Sequence, residues 1–499
     1  MAVPKVCGIE TEYGIIVRGA DTGPVAASTL LINSYLGRYQ QSIGWDFRDE
    51  HPGSDARGFS PDDLVDSDIE THLVNTVLTN GARYYVDHAH PEIATPECRS
   101  ADEVVLYDRA AEEIIRQSMV RANQVLSNGV EIIVYKNNSD GKGNSYGCHE
   151  NYLVARDTSF RRLAGEITSH FVSRQIFCGA GKVGCESPAM GHSDIPFQIS
   201  QRADFIEEEV GLETTLKRPI VNTRDEPHCD AGKYRRLHVI VGDANMSQYA
   251  TFLKVGTTAI VLSMIEDGVL DHLPLIAHPV LAIRQVSHDT KLQVTLLLSN
   301  GQRATALEIQ WSLLEAAKKY AVTHGLDSVC DNIGETILLE WENVLTGLER
   351  DIQSVANVVD WVAKQRIVDG FAQRHSLRSG DPHLKAIDFQ YHDLRISRSL
   401  AGKAGLRSMI DEKSALQAMY DPPPTTRAYF RGTCLQRWPE DIVAANWDSV
   451  VFDVGADALV RVPMMEPLRG TRALTEELFA NCSSPASLIT NLGKVVQSL

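Results

Sequence analysis

Two carboxylates stand two residues apart in the apolar segment Lys5-Val-Cys-Gly-Ile-Glu-Thr-Glu-Tyr-Gly-Ile-Ile-Val17, as Glu10 and Glu12. The segment reads as a buried strand, on which side chains two apart share a face. Two buried acids on one face repel and resist ionisation unless a cation neutralises them, and a hard divalent metal answers that need. A second segment, Ala82-Arg-Tyr-Tyr-Val-Asp-His-Ala-His-Pro-Glu-Ile-Ala-Thr-Pro-Glu-Cys-Arg99, reads as a strand followed by a turn and gathers Arg83, Tyr85, Asp87, Glu92 and Thr95. On a third predicted strand, residues 146–155, His149 and Asn151 share a face, although a histidine so placed is as readily structural. Residues 221–240 hold Arg224, His228, Arg235, Arg236 and His238, the most basic local stretch of the middle region; a solvated charged face is its plainer reading.

Taken together, Glu10, Glu12, Tyr85, Asp87, Glu92, His149 and His238 offer oxygen and imidazole ligands from several strands, as magnesium sites do when they also hold substrate phosphates. Arg83 and the pair in Arg427-Ala-Tyr-Phe-Arg431 suit phosphate oxygens. The residues alone carry the reading as far as a metal-dependent enzyme acting on phosphate or carboxylate groups. The plainer alternative, unrelated surface acids, conflicts with the cost of an unpaired charge in an apolar strand.

The elements that must position these groups follow from periodicity. Helices are expected over residues 28–39, 104–127, 161–172, 248–265, 304–324, 335–351 and 358–371, and strands over 131–136 and 146–155. Two further strands are expected between Ala282 and Leu298, and two in the tail around Asn446–Phe452 and Leu459–Met464. Residues 41–67, rich in Gly, Asp, Ser and Pro and without a period, read as a mobile flap beside the site. Pro422-Pro-Pro424 ends any helix, so a boundary is placed there.

With 499 residues, 43% of them hydrophobic, the protein can bury a large core. A net charge of −17 argues against a nucleic-acid partner. The absence of a long apolar run argues against a membrane span, and a cytoplasmic location is expected. Nine scattered cysteines without a CxxC pair suggest reduced, buried thiols.

Three motifs, Gly8-Ile-Glu-Thr-Glu-Tyr-Gly14, Tyr85-Val-Asp-His-Ala-His-Pro-Glu-Ile-Ala-Thr-Pro-Glu-Cys98 and Thr426-Arg-Ala-Tyr-Phe-Arg-Gly432, resemble the Pup ligase and depupylase family, which is related to glutamine synthetase. The resemblance spans essentially the whole sequence. It implies an α+β fold: a glutamine-synthetase-like catalytic domain over residues 1–420, with a curved antiparallel sheet packed by helices, and a small C-terminal domain over 425–499. It implies ATP, or ADP plus phosphate, and Mg2+ as cofactors, with Pup and pupylated proteins as partners. Glu10, Tyr85 and Glu92 resemble the metal positions, Arg83, Thr95 and Trp447 those that hold ATP, and Asp87 the catalytic aspartate. Glu12, His149 and His238 as metal ligands, Arg427 at ATP, and Arg202 and Arg224 at phosphate or Pup follow as weaker transfers. Arg161, Arg162 and Arg174 join Arg202 as candidates for a groove that receives acidic Pup.

The spelling Asp87-His-Ala-His-Pro-Glu92, the His149-Glu-Asn-Tyr wording and the long loop before Asp87 resemble the depupylase side of the family, although the loop is shorter than expected. The implied activity is hydrolysis of the amide of a C-terminal Gln of Pup and of the Pup–lysine isopeptide bond. Pup ligation on the same scaffold is the alternative, and a nucleotide-sensing protein without turnover the rival from another class.

Overall fold

Ten strands make one sheet whose two faces differ in chemistry, and the difference follows from alternation along each strand. The computed structural model describes residues 1–37, 43–48, 50–58, 73–186, 195–270, 273, 275–455 and 458–497. In spatial order the strands are Tyr234–Val239, Cys148–Ala155, Cys7–Glu12, His90–Ala94, Arg83–Asp87, Asn75–Val77, Gly44–Trp45, Ile442–Ala445, Ser449–Phe452 and Val460–Pro463. All neighbours are antiparallel except Gly44–Trp45 with Ile442–Ala445. The expected strand and turn after Ala82 is a hairpin, Arg83–Asp87 and His90–Ala94, with His88 at φ 50° in the connection.

Ile9, Thr11, Tyr84, Val86, Ile93, Tyr152, Val154, Leu237 and Val239 turn to one face and are buried in the main core. Helices Pro24–Leu36, Ala101–Val125, Phe160–Ser173 and Gln248–Glu266 cover that side of the protein. The last of these is buried along every residue from Ala250 to Ile265, its few polar groups included: Lys254 Nζ donates to the Asp243 carbonyl at 2.7 Å. Side chains of the opposite register, Glu10, Glu12, Tyr85, Asp87, Glu92, His149 and His238 among them, share the other face.

The tail does not stand apart from this sheet. Its three strands extend it, and its core of Phe430, Leu435, Trp438, Val450 and Phe452 includes Ile43, Trp45 and Val77 from early in the sequence. Two expectations are corrected. Residues 279–288 form a helix where a strand was expected, because Pro279 sits at its first turn and Ala282, Ile283 and Val286 recur at helical spacing; the strand in that region is only Thr295–Leu297. Helices Pro382–Tyr391, Ala428–Arg437, Arg472–Ala480 and Pro485–Gln497 were not anticipated. Among the described residues no helix is long and apolar enough to cross a membrane. All nine cysteines are thiols rather than halves of disulfides, eight of them buried.

Candidate active site

Strand pairing decides which side chains meet. Glu10 pairs across the sheet with His149 on one side and Ala94 on the other, Glu12 with Glu92, Glu92 with Tyr85, and Asn151 with His238. This register yields two neighbouring clusters whose ligand atoms lie within 4.8 Å of one another: Glu10, His149 and His238 in one, Glu12, Asp87 and Glu92 in the other. Six of the residues named from the sequence as metal ligands or catalytic group therefore converge. Tyr85, the seventh, lies directly across from Glu92 on the paired strand.

The electrostatics of the two clusters differ. Burial pushes the Glu92 carboxyl well up, and Asp87, Glu12 and Glu10 reinforce the shift. Burial also penalises Glu10, but His149, 3.6 Å from its carboxylate, and the charges of His238 and Arg236 hold it well below the usual range. Glu12 is lowered against its burial by His90 and His149, and accepts from Gly147 N–H at 2.7 Å.

Asn151 fixes the state of His238. Its Nδ2 donates to Glu10 Oε1 at 2.7 Å, and its Oδ1 accepts from Arg236 Nη1 at 2.9 Å, which sets the orientation of the amide. The same oxygen lies 3.0 Å from His238 Nδ1, so Nδ1 carries the hydrogen and Nε2 presents its lone pair. That Nε2 is buried and without a hydrogen-bond partner among the described residues. A lone pair held ready in this way, beside a carboxylate, fits a metal ligand. The all-oxygen cluster suits Mg2+, whereas the cluster with two imidazoles also suits softer divalent ions.

Beside Glu10 a cleft of about 90 Å³ is lined by Gly8, Thr95, Asn151, Leu153, Pro227, Arg427, Trp447 and Pro467. A Cβ at Gly8 would come 3.0 Å from Thr95 Oγ1, so glycine keeps this floor open. Thr95 is itself clamped, its Oγ1 accepting from Ile9 N–H at 3.1 Å. Arg83 lies between aromatic rings, 4.0 Å from Trp45 and 4.1 Å from Tyr85, with Nε donating to Asn75 Oδ1 at 3.0 Å. Trp45 meets Trp447 edge-on at 5.2 Å. Thus Arg83, Thr95 and Trp447 all border the region between the cleft and the clusters. Arg224 has no ion-pair partner among the described residues; burial and the neighbouring Arg236 lower its pKa, a state relieved by an anion.

Three of the expected cationic groups are already engaged within the protein. Arg427 lines the cleft, but its guanidinium donates to Glu97 Oε1 at 2.7 Å and to the carbonyls of His228 and Met464. Arg202, 1% exposed, donates to the carbonyls of Ile240 and Tyr146 and to Ser145 Oγ. Arg174 is buried in a two-point pair with Glu150. Of the remaining groove candidates, Arg161 is exposed and Arg162 pairs with Glu166 at 2.8 Å.

Part of the expected 41–67 flap, including 59–67, lies outside the described residues. The described stretch lies along the Arg224 segment: Ala56 N–H donates to Thr223 O at 2.8 Å, Asp225 N–H to Ser54 O at 2.9 Å, and His51 N–H to the Glu226 carboxylate. Glu50 accepts from Trp45 Nε1 at 2.5 Å and stands 3.6 Å from Arg83.

The sequence reading missed Glu97, which joins Arg427 and Arg431, and Gly147, where a Cβ would come 2.2 Å from His149 Nε2. The arginines at i and i+4 on one helix were the available signal for a buried acid between them.

The Pup-ligase protein family matches residues 5–451. The sequence is 48% identical over 504 residues to the depupylase of Acidothermus cellulolyticus, covering 98% of this protein and 99% of the relative. It is 44% identical over 506 residues to the Pup deamidase/depupylase of Mycolicibacterium smegmatis, with 98% and 99% covered. Among solved structures, the complex between prokaryotic ubiquitin-like protein Pup and its ligase PafA superposes with a TM-score of 0.79 at 30% identity, covering 99% of this protein and 95% of that one. The Pup ligase PafA in complex with ADP gives 0.73 at 33%, covering 81% and 89%. On a family match across nearly nine-tenths of its length and relatives alike from end to end, the chain belongs to the Pup-ligase protein family.

Proposed function

We propose that this protein is a magnesium- and nucleotide-dependent amidase that deamidates the C-terminal glutamine of Pup and hydrolyses the isopeptide bond between Pup and a substrate lysine. The observation that carries the reading is the gradient of identity on one scaffold: 48% and 44% to relatives named for depupylation, against 36% and 40% to relatives named as Pup–protein ligases. We further read the architecture as glutamine-synthetase-like, with residues 1–420 catalytic and 425–499 a module that completes the nucleotide cleft.

In this reading ATP, or ADP plus phosphate, takes the cleft beside Gly8, with Thr95 and Trp447 as walls and Arg83 and Arg224 turned toward phosphate. A related ligase solved with ADP supports nucleotide binding. Glu10, His149 and His238, and Glu12, Asp87 and Glu92 with Tyr85 at its edge, are the groups that would hold divalent cations. Bound Mg2+ supplies positive charge that polarises carbonyl and phosphate oxygens and offsets the carboxylates.

The chemistry breaks the C–N bond of the glutamyl amide. The oxygen of water ends on the glutamyl carbon, and the nitrogen leaves with the proton it gains, as ammonia or as the lysine amine. Asp87 is the group assigned to the attack, either on the carbonyl itself or by orienting a water or a phosphate derived from the nucleotide. The two versions separate on one measurement, since direct attack leaves a covalent adduct on Asp87 in a trapped reaction.

The test is incubation of the protein with nucleotide, Mg2+ and Pup ending in glutamine, followed by mass spectrometry. Ammonia release with conversion of glutamine to glutamate is expected. Conjugates without deamidation would assign the ligase, and nucleotide binding with unchanged Pup would refute turnover. Asp87→Asn is expected to keep nucleotide affinity and lose turnover; retained turnover would remove Asp87 from the chemistry.

A further inference from the structure

Two guanidinium groups without an acid partner lie beyond the Glu12 end of the carboxylate cluster. Both are attached to the segment Ser145–Gly147. Gly147 N–H donates to Glu12 Oε1 at 2.7 Å. One residue back, the Tyr146 carbonyl accepts from Arg202 Nη1 at 3.1 Å, and Ser145 Oγ accepts from the same atom at 2.8 Å. The Ser145 carbonyl accepts from Arg218 Nη2 at 3.0 Å. Arg218 Nε donates to the Thr214 carbonyl at 2.8 Å, its guanidinium stands 5.7 Å from the centre of the Phe205 ring, and Nη1 has no partner among the described residues.

Neither arginine has a carboxylate in salt-bridge range among the described residues; Glu12, the acid that most favours the charge of each, lies beyond it. Like charges held side by side in a half-buried place are stable when an anion joins them. Arg202 has spent its donors on the protein. Arg218 is half-buried and has not.

We propose that Arg218, backed by the charge of Arg202, receives the free α-carboxylate of the substrate polypeptide's C-terminal residue. The inference rests on the amidase reading above and adds the feature of the substrate that the enzyme measures. In a C-terminal glutamine or glutamate the δ-carbonyl carbon lies about 5 Å from the α-carboxyl carbon when extended. Ser145, whose carbonyl bonds Arg218, and Gly147, whose nitrogen bonds Glu12, are separated by Tyr146 alone, and their Cα atoms span at most about 7 Å. The spacing therefore suits a glutamyl residue with its reacting carbonyl at Glu12 and Asp87 and its carboxylate at Arg218. A nucleotide phosphate does not suit this place, because the cleft beside Gly8 lies at the other end of the Glu10–Glu12 line. The α-carboxylate is untouched when the amide C–N bond breaks, so it serves deamidation and isopeptide hydrolysis alike. A glutamine inside a polypeptide lacks it and is refused.

The experiment compares Pup ending in a free-acid glutamine with Pup ending in glutamine α-carboxamide, and measures both binding, by fluorescence anisotropy, and deamidation. The wild-type protein is expected to bind and process the free acid at least ~10-fold better, the range of one charge-assisted hydrogen-bond pair. Arg218→Gln is expected to handle both forms equally, at the level of the wild type with the carboxamide, and Arg218→Lys to recover part of the preference. ADP affinity identifies folded variants; if Arg218→Gln loses it, Arg218→Lys carries the comparison, with a reduced preference expected and an undiminished one overturning the proposal. A wild type indifferent to the carboxamide, or an Arg218→Gln protein that still prefers the free acid, also overturns it. Preference in binding without deamidation would instead refute the amidase reading and leave the carboxylate subsite standing.

Discussion

Replacing Glu97 by glutamine tests what joins the tail to the rest of the protein. The Glu97 carboxylate is the counter-charge of two arginines, Arg427 at 3% and Arg431 at 0% side-chain exposure, and it accepts from Arg427 Nε at 2.7 Å, from Arg431 Nη1 at 3.2 Å and from Arg431 Nη2. Burial pushes its carboxyl up, yet the charges of Arg431 and Arg427 prevail and hold it at about 2, below its ordinary 4.5. That depression corresponds to about 3 kcal/mol. Breaking a buried ion pair by removing one partner costs about 3–5 kcal/mol by an independent route. Because the folded-state value is depressed, the contribution is full above pH 4.5 and is lost as pH falls toward 2. Urea unfolding of Glu97→Gln at pH 7 is therefore expected to give a stability about 3 kcal/mol below wild type, with the gap closing as pH falls from about 5 toward 2. ADP affinity should fall as well, since Arg427 and Trp447 line the cleft and Arg431 holds the Trp447 carbonyl at 2.9 Å. A loss under about 1 kcal/mol at pH 7, or a gap that persists unchanged into acid, refutes the reasoning.

Asn151→Leu should free the His238 ring and Arg236, and a titration with Mn2+ should show affinity lowered by about 10–100-fold. Gly147→Ala should displace His149, whose Nε2 would lie 2.2 Å from the new Cβ, and lower Mn2+ affinity while the melting temperature stays near that of wild type. Mg2+ at about 100 times its dissociation constant should raise stability by about 2.7 kcal/mol and chelation should reverse it. That response should shrink in Glu92→Gln, which removes one carboxylate of the all-oxygen cluster.

The polar face of the sheet was legible because strand alternation is a strict rule: Glu10 with Glu12, Tyr85 with Asp87, and His149 with Asn151 follow from counting by two. Which strands neighbour one another was not, since register depends on pairings across most of the sequence, such as His238 with Asn151. Long helices with a polar and an apolar side were legible for the same local reason. The helix Pro279–His288 was mistaken because its short apolar run has no length to separate it from a strand. Arg202 and Arg427 illustrate a further limit. An arginine's type advertises charge, but only the fold says whether carbonyls and an acid have already claimed it. The proline triplet marked a real break in helix, while the sheet runs on past it through Ile442–Ala445.

The route of that sheet has a consequence for the birth of the protein. The floor of the cleft, Val6 to Glu10, is synthesised more than four hundred residues before its walls at Trp447 and Pro467. A nascent polypeptide exposes half a pocket while the intervening residues are added, and any product interrupted before Pro467 lacks part of the wall. Completion of the cleft thus waits on residues that lie beyond the last strand of the sheet.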